Sequence, residues 1–134
     1  MKREIIITDD GSTTIYIPDW NEQYHSKHGA IQEAYHVFIN AGLEYFLTQL
    51  QPKPLKILEI GFGTGLNAFI TLLEADKNKI PINFTGVEAY PISSSEIEKL
   101  NYPLQLNSSD EYFKKLHQGK WEQQISISDH FSIL

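Results

Sequence analysis

The run Glu59-Ile60-Gly61-Phe62-Gly63-Thr64-Gly65 constrains the fold of this 134-residue chain more than any other feature. It follows an apolar run, Leu55 to Ile60, and precedes a stretch with helical character from Leu66 to about Asp76. Glycines at three alternate positions allow the backbone to turn tightly after a strand, and they allow a ligand to approach it closely. The sequence therefore predicts a buried strand, a glycine turn and a helix, in that order.

A second strand is predicted from Ile82 to Val87, directly before Glu88. Strand, helix and strand within residues 55–88 form a βαβ unit, for which a parallel pair and a right-handed crossover are expected. Glu88 then lies at the tip of the neighbouring strand, where its carboxylate can accept two hydrogen bonds from the diol of a ribose. The pattern favours an adenosine-containing ligand across the two strand tips.

The glycine spacing leaves several interpretations of that ligand. The dinucleotide fingerprint G-x-G-x-x-G fails at Leu66 when read from Gly61, but it reaches the tolerated Ala68 when read from Gly63, so a dinucleotide is disfavoured rather than excluded. The Gly-Lys-Ser/Thr of a P-loop is absent. An acidic residue two positions before the first glycine resembles the S-adenosylmethionine loop of class I methyltransferases. The remaining alternative is a tight strand–helix turn with Glu88 as a surface charge.

The region before the glycine turn is predicted to be an extension of hairpin, loop and helix. β-rich runs at Glu4 to Thr8 and Thr13 to Ile17 flank an Asp-Gly pair, which is a strong hairpin signal. A polar loop is expected from Asp19 to His28. Apolar residues at helical spacing predict a helix from Ala30 to about Leu50, in which Gly42 either divides the helix or allows a close contact.

The region after Glu88 carries weaker signals. Ser93-x-x-Glu96 and Ser108-x-x-Glu111 both have the spacing of a capping box, so each predicts the start of a short helix. Two short strands are expected at the end of the chain, from Ile125 to Ser128 and from Phe131 to Leu134.

Composition limits the classes of protein further. Hydrophobic residues make up 41% of the chain, enough for a core, and the absence of cysteine excludes disulfides, zinc–thiolate sites and thiol catalysis. No apolar run approaches the roughly 20 residues that span a bilayer, and no signal core follows Met1, so a cytoplasmic protein without membrane attachment is expected. The net charge of −6 does not by itself suggest a nucleic-acid partner.

Three stretches together resemble one methyltransferase family, the one that completes 5-methylaminomethyl-2-thiouridine at the tRNA wobble position. They are residues 10–16 (DGSTTIY), residues 24–38 with YHSKHGAIQE and HVF, and residues 59–67 (EIGFGTGLN). In some bacteria this domain is fused to an FAD-dependent oxidoreductase. The resemblance implies an α/β, Rossmann-like class I fold that transfers a methyl group from S-adenosylmethionine to the exocyclic amine of an aminomethyl-uridine in tRNA.

The resemblance also assigns site residues. Those expected to line the cofactor are Glu59, Gly61, Phe62, Gly63, Thr64, Gly65, Asn67 and Glu88. Tyr24 and Glu33 are expected near the cofactor or the substrate. His25, His28 and His36 match no metal motif, and no metal site is expected. Lys114, Lys115 and Lys120 are read as a solvated helix face in preference to an RNA contact.

The sequence departs from that family in one respect. Its members carry an acidic Asp-Ala/Gly-Phe-x-Pro stretch at the tip of the fourth strand, and none of the 134 residues provides it. We therefore expect an N-terminal fragment with an extension at residues 1–54 and an incomplete cofactor domain at 55–134, truncated after about three sheet strands. The catalytic acid would lie beyond residue 134, and the piece alone would be inactive.

A missing fourth strand has a consequence for the sheet. The strand from Leu55 to Ile60 would become an edge with unpaired backbone groups, which we expect another chain, a swapped segment or a poorly ordered edge to cover. Self-association through this edge and pairing with an FAD-dependent oxidoreductase are the expected protein contacts. A nucleotide-binding (NAD or FAD) oxidoreductase, or a Rossmann-like module without catalysis, is the alternative function.

Overall fold

Two β-sheets organise the chain in the computed structural model, which describes residues 1–134. A three-stranded sheet has the order β1-β2-β3, and a four-stranded sheet has the order β4-β5-β7-β6. The strands are β1 Glu4–Ile7, β2 Thr13–Ile17, β3 Glu22–Gln23, β4 Leu55–Ile60, β5 Ile82–Val87, β6 Ile125–Ser128 and β7 Phe131–Ile133.

The longest helical region, α1, consists of three contiguous segments: Ala30–Ala34, a π-helical Tyr35–Glu44, and Tyr45–Gln49. The predicted helix is thus confirmed. Gly42 does not divide it, because the residue lies inside the π-helical segment. A Cβ atom at Gly42 would meet only the Val37 carbonyl oxygen, at 3.4 Å, so no close packing requires glycine there.

Four further helices follow: α2 Leu66–Asn78, α3 Ser94–Lys99, α4 Tyr102–Gln105 and α5 Glu111–Gln118. Ser93 forms the predicted capping box with Glu96. The prediction of a second box at Ser108 is wrong, because α5 begins only at Glu111 and has Asp110 as its N-cap. Glu111 is therefore too early in the helix to bond back to Ser108, and its own N–H donates to Ser109 Oγ at 3.2 Å. None of the helices has the length and apolar character that crossing a membrane requires.

The predicted N-terminal hairpin is confirmed, with β1 and β2 antiparallel and Glu4 opposite Tyr16. The segment predicted as a loop contains a 3-10 turn, Pro18–Trp20, and then β3, which pairs with β2. The hairpin turn also caps α1, whose N-cap residue has no side chain to do so. Three of its side-chain oxygens accept the first N–H groups of the helix: Thr8 from Ala30, Ser12 from Ile31 and Asp10 from Gln32.

The larger sheet contains the predicted βαβ unit. β4 and β5 are parallel, with Leu55 opposite Ile82 and Ile60 opposite Val87, and α2 connects them. β7 is parallel to β5, and β6 is antiparallel to β7. The sheet has four strands rather than about three, because both strands of the last hairpin join it. β4 has one neighbour only, so it is an edge strand as predicted.

One hydrophobic cluster connects the two parts of the chain. Buried residues of α2, including Phe69 and Leu72, pack with Leu55 of β4 and Phe84 of β5, and the same cluster includes Ile39 of α1. The division at residue 54 remains a prediction, since both sides of it share this core. The opposite face of the sheet is open at its β4 edge, where apolar side chains are exposed: Leu58 at 64%, Ile60 at 75% and Val87 at 48%.

Candidate functional site

The glycine turn between β4 and α2 has a backbone that depends on its glycines. Gly61, Gly63 and Gly65 have φ angles of +87°, +57° and +76°, in the left-handed region that side chains disfavour. A Cβ atom at Gly61 would meet nothing within 4 Å. These dihedral angles favour glycine at all three positions, and the space beside Gly61 is free for a ligand.

Glu88 is brought against this turn because β4 and β5 are parallel and adjacent. Its Oε2 accepts a hydrogen bond from the Gly63 N–H at 2.7 Å, and its Oε1 accepts one from the Tyr90 N–H at 2.9 Å. Each carboxylate oxygen can accept a second hydrogen bond. The carboxylate is therefore fixed in position and still able to bind hydroxyl groups.

Glu59, the last buried residue of β4, has an incompletely satisfied carboxyl group. Its Oε2 accepts a hydrogen bond from Asn67 Nδ2 at 2.7 Å, while its Oε1 is buried without a partner. The pKa of Glu59 is raised to about 7, chiefly by burial and to a smaller extent by the Glu88 charge, while the Asn67 hydrogen bond opposes the rise. An unpartnered buried carboxyl oxygen is suited to a cationic or hydrogen-donating group of a ligand.

Thr64 faces inward, whereas Phe62 is half-buried and also lines a cavity beside Glu88. Thr64 is 1% exposed. The ring of Phe62 covers Gly86 of β5 so closely that a Cβ atom there would lie 2.6 Å from it. These two residues of the predicted cofactor set therefore anchor the turn to the protein.

The structure adds two residues that the sequence reasoning missed, and both contact Thr64. Tyr102 of α4 donates a hydrogen bond to Thr64 Oγ1 at 3.1 Å, and His117 Nε2 of α5 lies 3.0 Å from the Thr64 carbonyl oxygen. No local pattern in the sequence marks them, since they lie 38 and 53 positions away from Thr64.

Tyr24 and Glu33 take different places. The ring of Tyr24 lies 3.2 Å from the position that a Cβ atom of Gly63 would occupy, so this side chain contacts the glycine turn. The Glu33 carboxylate is directed elsewhere: its Oε2 accepts a hydrogen bond from the Ser26 N–H at 2.6 Å, which fixes the loop before α1.

A cavity of about 120 Å³ adjoins Glu88 and Gly63 at the carboxyl ends of β5 and β7. Its apolar lining includes Ile92, Ile97, Leu116, Ile125 and Ile133. Lys120 is the only lysine or arginine that lines it. A flat uncharged ring system is better suited to this space than a phosphate group, which needs several donors or cations.

The histidines of the loop before α1 do not converge. His25 Nδ1 lies 2.8 Å from Thr14 Oγ1, and His28 faces Asp9 at 3.4 Å. The structure contains no group of three or more histidine, aspartate or glutamate side chains that could hold a metal ion.

Comparison with known proteins identifies relatives of this chain. No family model matches the chain. The tRNA 5-methylaminomethyl-2-thiouridine biosynthesis bifunctional protein MnmC of Acidovorax sp. (strain JS42) is 35% identical over 101 residues, which cover 72% of this chain and 15% of that protein. The protein of the same name from Leptospira borgpetersenii serovar Hardjo-bovis (strain JB197) is 37% identical over 84 residues, which cover 60% of this chain and 13% of that one. The chain belongs to the MnmC family.

A solved structure supports the MnmC relationship at the level of fold. The crystal structure of MNMC2 from Aquifex aeolicus matches with a TM-score of 0.70 at 23% identity, covering 99% of this chain and 42% of that one. The predicted α/β, Rossmann-like fold is thereby confirmed. The chain spans about one seventh of the length of the MnmC relatives that it matches.

Proposed function

We propose that the chain binds S-adenosyl-L-methionine at the glycine turn, as part of a tRNA methyltransferase. The substrate group would be the exocyclic amine of 5-aminomethyl-(2-thio)uridine at the wobble position. The observation that carries the proposal is the Glu88 carboxylate held against Gly63, opposite the buried Glu59 with its unpartnered oxygen. The relatives support it, because their names place them in the synthesis of this tRNA nucleoside.

The residues present suit the cofactor. Glu59 Oε1 would accept a hydrogen bond from the ammonium of its methionine part, and Glu88 would accept hydrogen bonds from its ribose hydroxyls. The apolar cavity beside Glu88 would take its adenine ring. When bound, the cofactor supplies a methyl group on a positively charged sulfur.

The contribution of this chain to the reaction would be binding and orientation. Glu59 and Glu88 would hold two ends of the ligand, and Tyr24 packs against the turn at Gly63. Alignment of the reacting groups provides a large part of the acceleration in such a transfer. The substrate amine must be neutral to react, and the acid that accepts its proton remains assigned to the family's acidic stretch, which this sequence does not contain.

The alternative, an NAD- or FAD-binding oxidoreductase or a binding module without catalysis, is less well supported. A dinucleotide carries a pyrophosphate, and the cavity beside the turn offers Lys120 as its only lysine or arginine. The G-x-G-x-x-G pattern from Gly61 is also broken at Leu66. The family relationship favours the methyltransferase interpretation.

Calorimetric titration distinguishes these functions. S-Adenosylhomocysteine is expected to bind in preference to NAD and FAD. Glu88→Ala is expected to weaken that binding at least tenfold, because two hydrogen bonds to a charged acceptor are lost. Glu98→Ala, which changes an exposed carboxylate on α3, is the matched control. Tighter binding of NAD, or equal binding by Glu88→Ala and the unaltered protein, would exclude the proposed function.

The same proposal includes the remaining expected partners. The family relationship suggests that tRNA and an FAD-dependent oxidoreductase are binding partners of this chain. The cytoplasm is the compartment in which it would encounter them. Self-association through β4 is supported by its single neighbour and by the exposed Leu58 and Ile60.

A further inference from the structure

Two side chains outside the predicted site converge on one buried residue of the glycine turn. Tyr102 donates its hydroxyl hydrogen to Thr64 Oγ1, and a carbonyl oxygen can only accept, so His117 Nε2 donates to the Thr64 carbonyl. Thr64 lies between Gly63 and Gly65 and is 1% exposed. Both its hydroxyl and its carbonyl are thus bonded to helices that follow β5.

His117 also fits the shape of the turn. A Cβ atom at Gly65 would lie 2.9 Å from His117 Nε2, and the rings of Phe62 and His117 are 5.6 Å apart in an edge-to-face arrangement. A backbone with three glycines has large conformational freedom of its own. Contact on this side removes part of that freedom before any ligand binds.

A chain of aromatic contacts holds the two donors in place. Tyr102 packs edge-to-face on Phe113 at 5.7 Å, and Phe113 packs on His117 at 4.8 Å. On its other side, Tyr102 meets the His25 ring at 6.5 Å, and His25 is bonded to Thr14 of β2. The donors are therefore fixed from both the N-terminal sheet and α5.

We infer that Tyr102 and His117 are positioning residues, which hold the glycine turn in its ligand-binding conformation through the hydroxyl and the carbonyl of Thr64. The identity of the ligand rests on the proposed function. Tyr102 does not line the cavity beside Glu88 and acts through Thr64 alone, whereas His117 also lines that cavity. The positioning role of His117 is therefore judged by loop exchange in the unliganded protein as well as by affinity. Their effect is to lower the entropy that the turn loses on binding, which increases affinity.

Removal of one oxygen atom tests Tyr102. In Tyr102→Phe, which keeps the ring, we expect S-adenosylhomocysteine to bind about fivefold more weakly, as for the loss of one buried hydrogen bond. We also expect faster amide hydrogen exchange in peptides covering residues 61–67 of the unliganded protein. Tyr112→Phe, a half-buried tyrosine of α5 with no bond to the turn, should leave both quantities unchanged.

His117 allows a test by rescue. His117→Leu is expected to weaken binding about five- to tenfold and to accelerate exchange at residues 61–67, because the donor is lost. His117→Gln places an amide N–H near the position of Nε2 and should restore most of both. Equal losses in the leucine and glutamine variants would overturn the role of the hydrogen bond.

The outcomes separate this inference from the proposed function. If Tyr102→Phe and His117→Leu lower the thermal midpoint but leave affinity and loop exchange unchanged, the two residues are merely structural and the inference fails. If the unaltered protein does not bind S-adenosylhomocysteine, the proposed function fails, and exchange at residues 61–67 alone decides whether the two side chains position the turn.

Discussion

At the scale of single residues, the buried carboxyl group of Glu59 lowers the stability of the fold at neutral pH, and it is proposed to bind the cofactor. Its carboxyl group is buried with one oxygen unpartnered, and its pKa is raised to about 7. A raised folded-state pKa means that this group contributes most to stability below pH 4.5 and loses that contribution as the pH rises to 7. The shift corresponds to about 3 kcal/mol.

Glu59→Gln should therefore make the unliganded protein more stable at pH 8, by about 1–3 kcal/mol in the free energy of unfolding. It should also weaken S-adenosylhomocysteine binding, because the amide cannot provide the negative charge opposite an ammonium. Urea unfolding at pH 5 and pH 8 measures the first effect and calorimetry the second. The same difference between pH 5 and pH 8 in both proteins would contradict the assignment.

At the scale of elements, β4 combines a buried face with an open edge. Leu55 donates its N–H to Pro81 and Gly61 donates to Val87, so the odd-numbered residues of this strand bond toward β5. The intervening residues, Lys56, Leu58 and Ile60, direct their backbone groups to the open side. Their side chains share the exposed face, which makes the edge both apolar and unpaired.

Leu58→Lys should reduce any concentration-dependent association, since a lysine on an edge strand opposes pairing with another strand. Sedimentation velocity at a series of protein concentrations measures this. Leu104→Lys, which also replaces an exposed leucine but lies on α4, is the control and should not alter association. Association that persists in Leu58→Lys would show that β4 is not the contact.

At the scale of the whole molecule, two half-buried histidines make stability sensitive to acid. Burial lowers the pKa of both His25 and His117 to about 4. Between pH 6.5 and pH 4, both histidines are protonated in the unfolded chain but remain neutral in the folded protein. The free energy of unfolding should therefore fall by about 3 kcal/mol for each histidine over this interval, while Glu59 acts in the opposite direction.

His25→Gln should remove one histidine's share of this fall. Urea unfolding at pH 7 and pH 4.5 is expected to show a difference that is smaller by about 2–3 kcal/mol in the variant than in the unaltered protein. His28→Gln, an exposed histidine, should leave the difference unchanged. An identical fall in all three proteins would mean that folding does not lower the pKa of His25.

Local patterns were sufficient for much of the fold. The bounds of β2, β4 and β5 agree with those read from the sequence, because β-branched runs and prolines mark such strands within a few residues. β3 and α4 were not predicted. β3 is two residues long and depends on pairing with β2, and α4 is only four residues long. Neither element is long enough to show a periodic pattern of hydrophobic residues.

The amino-acid sequence was enough to locate the glycine turn, with Glu59 before it and Glu88 one strand away. These positions follow from local backbone requirements and from the adjacency of parallel strands. The groups that support the turn could be identified only from the packed molecule, in which Tyr102 and His117 contact Thr64 from 38 and 53 positions away along the chain. Contacts between residues so far apart are set by how the helices pack against the sheet, and no spacing along the chain encodes that geometry.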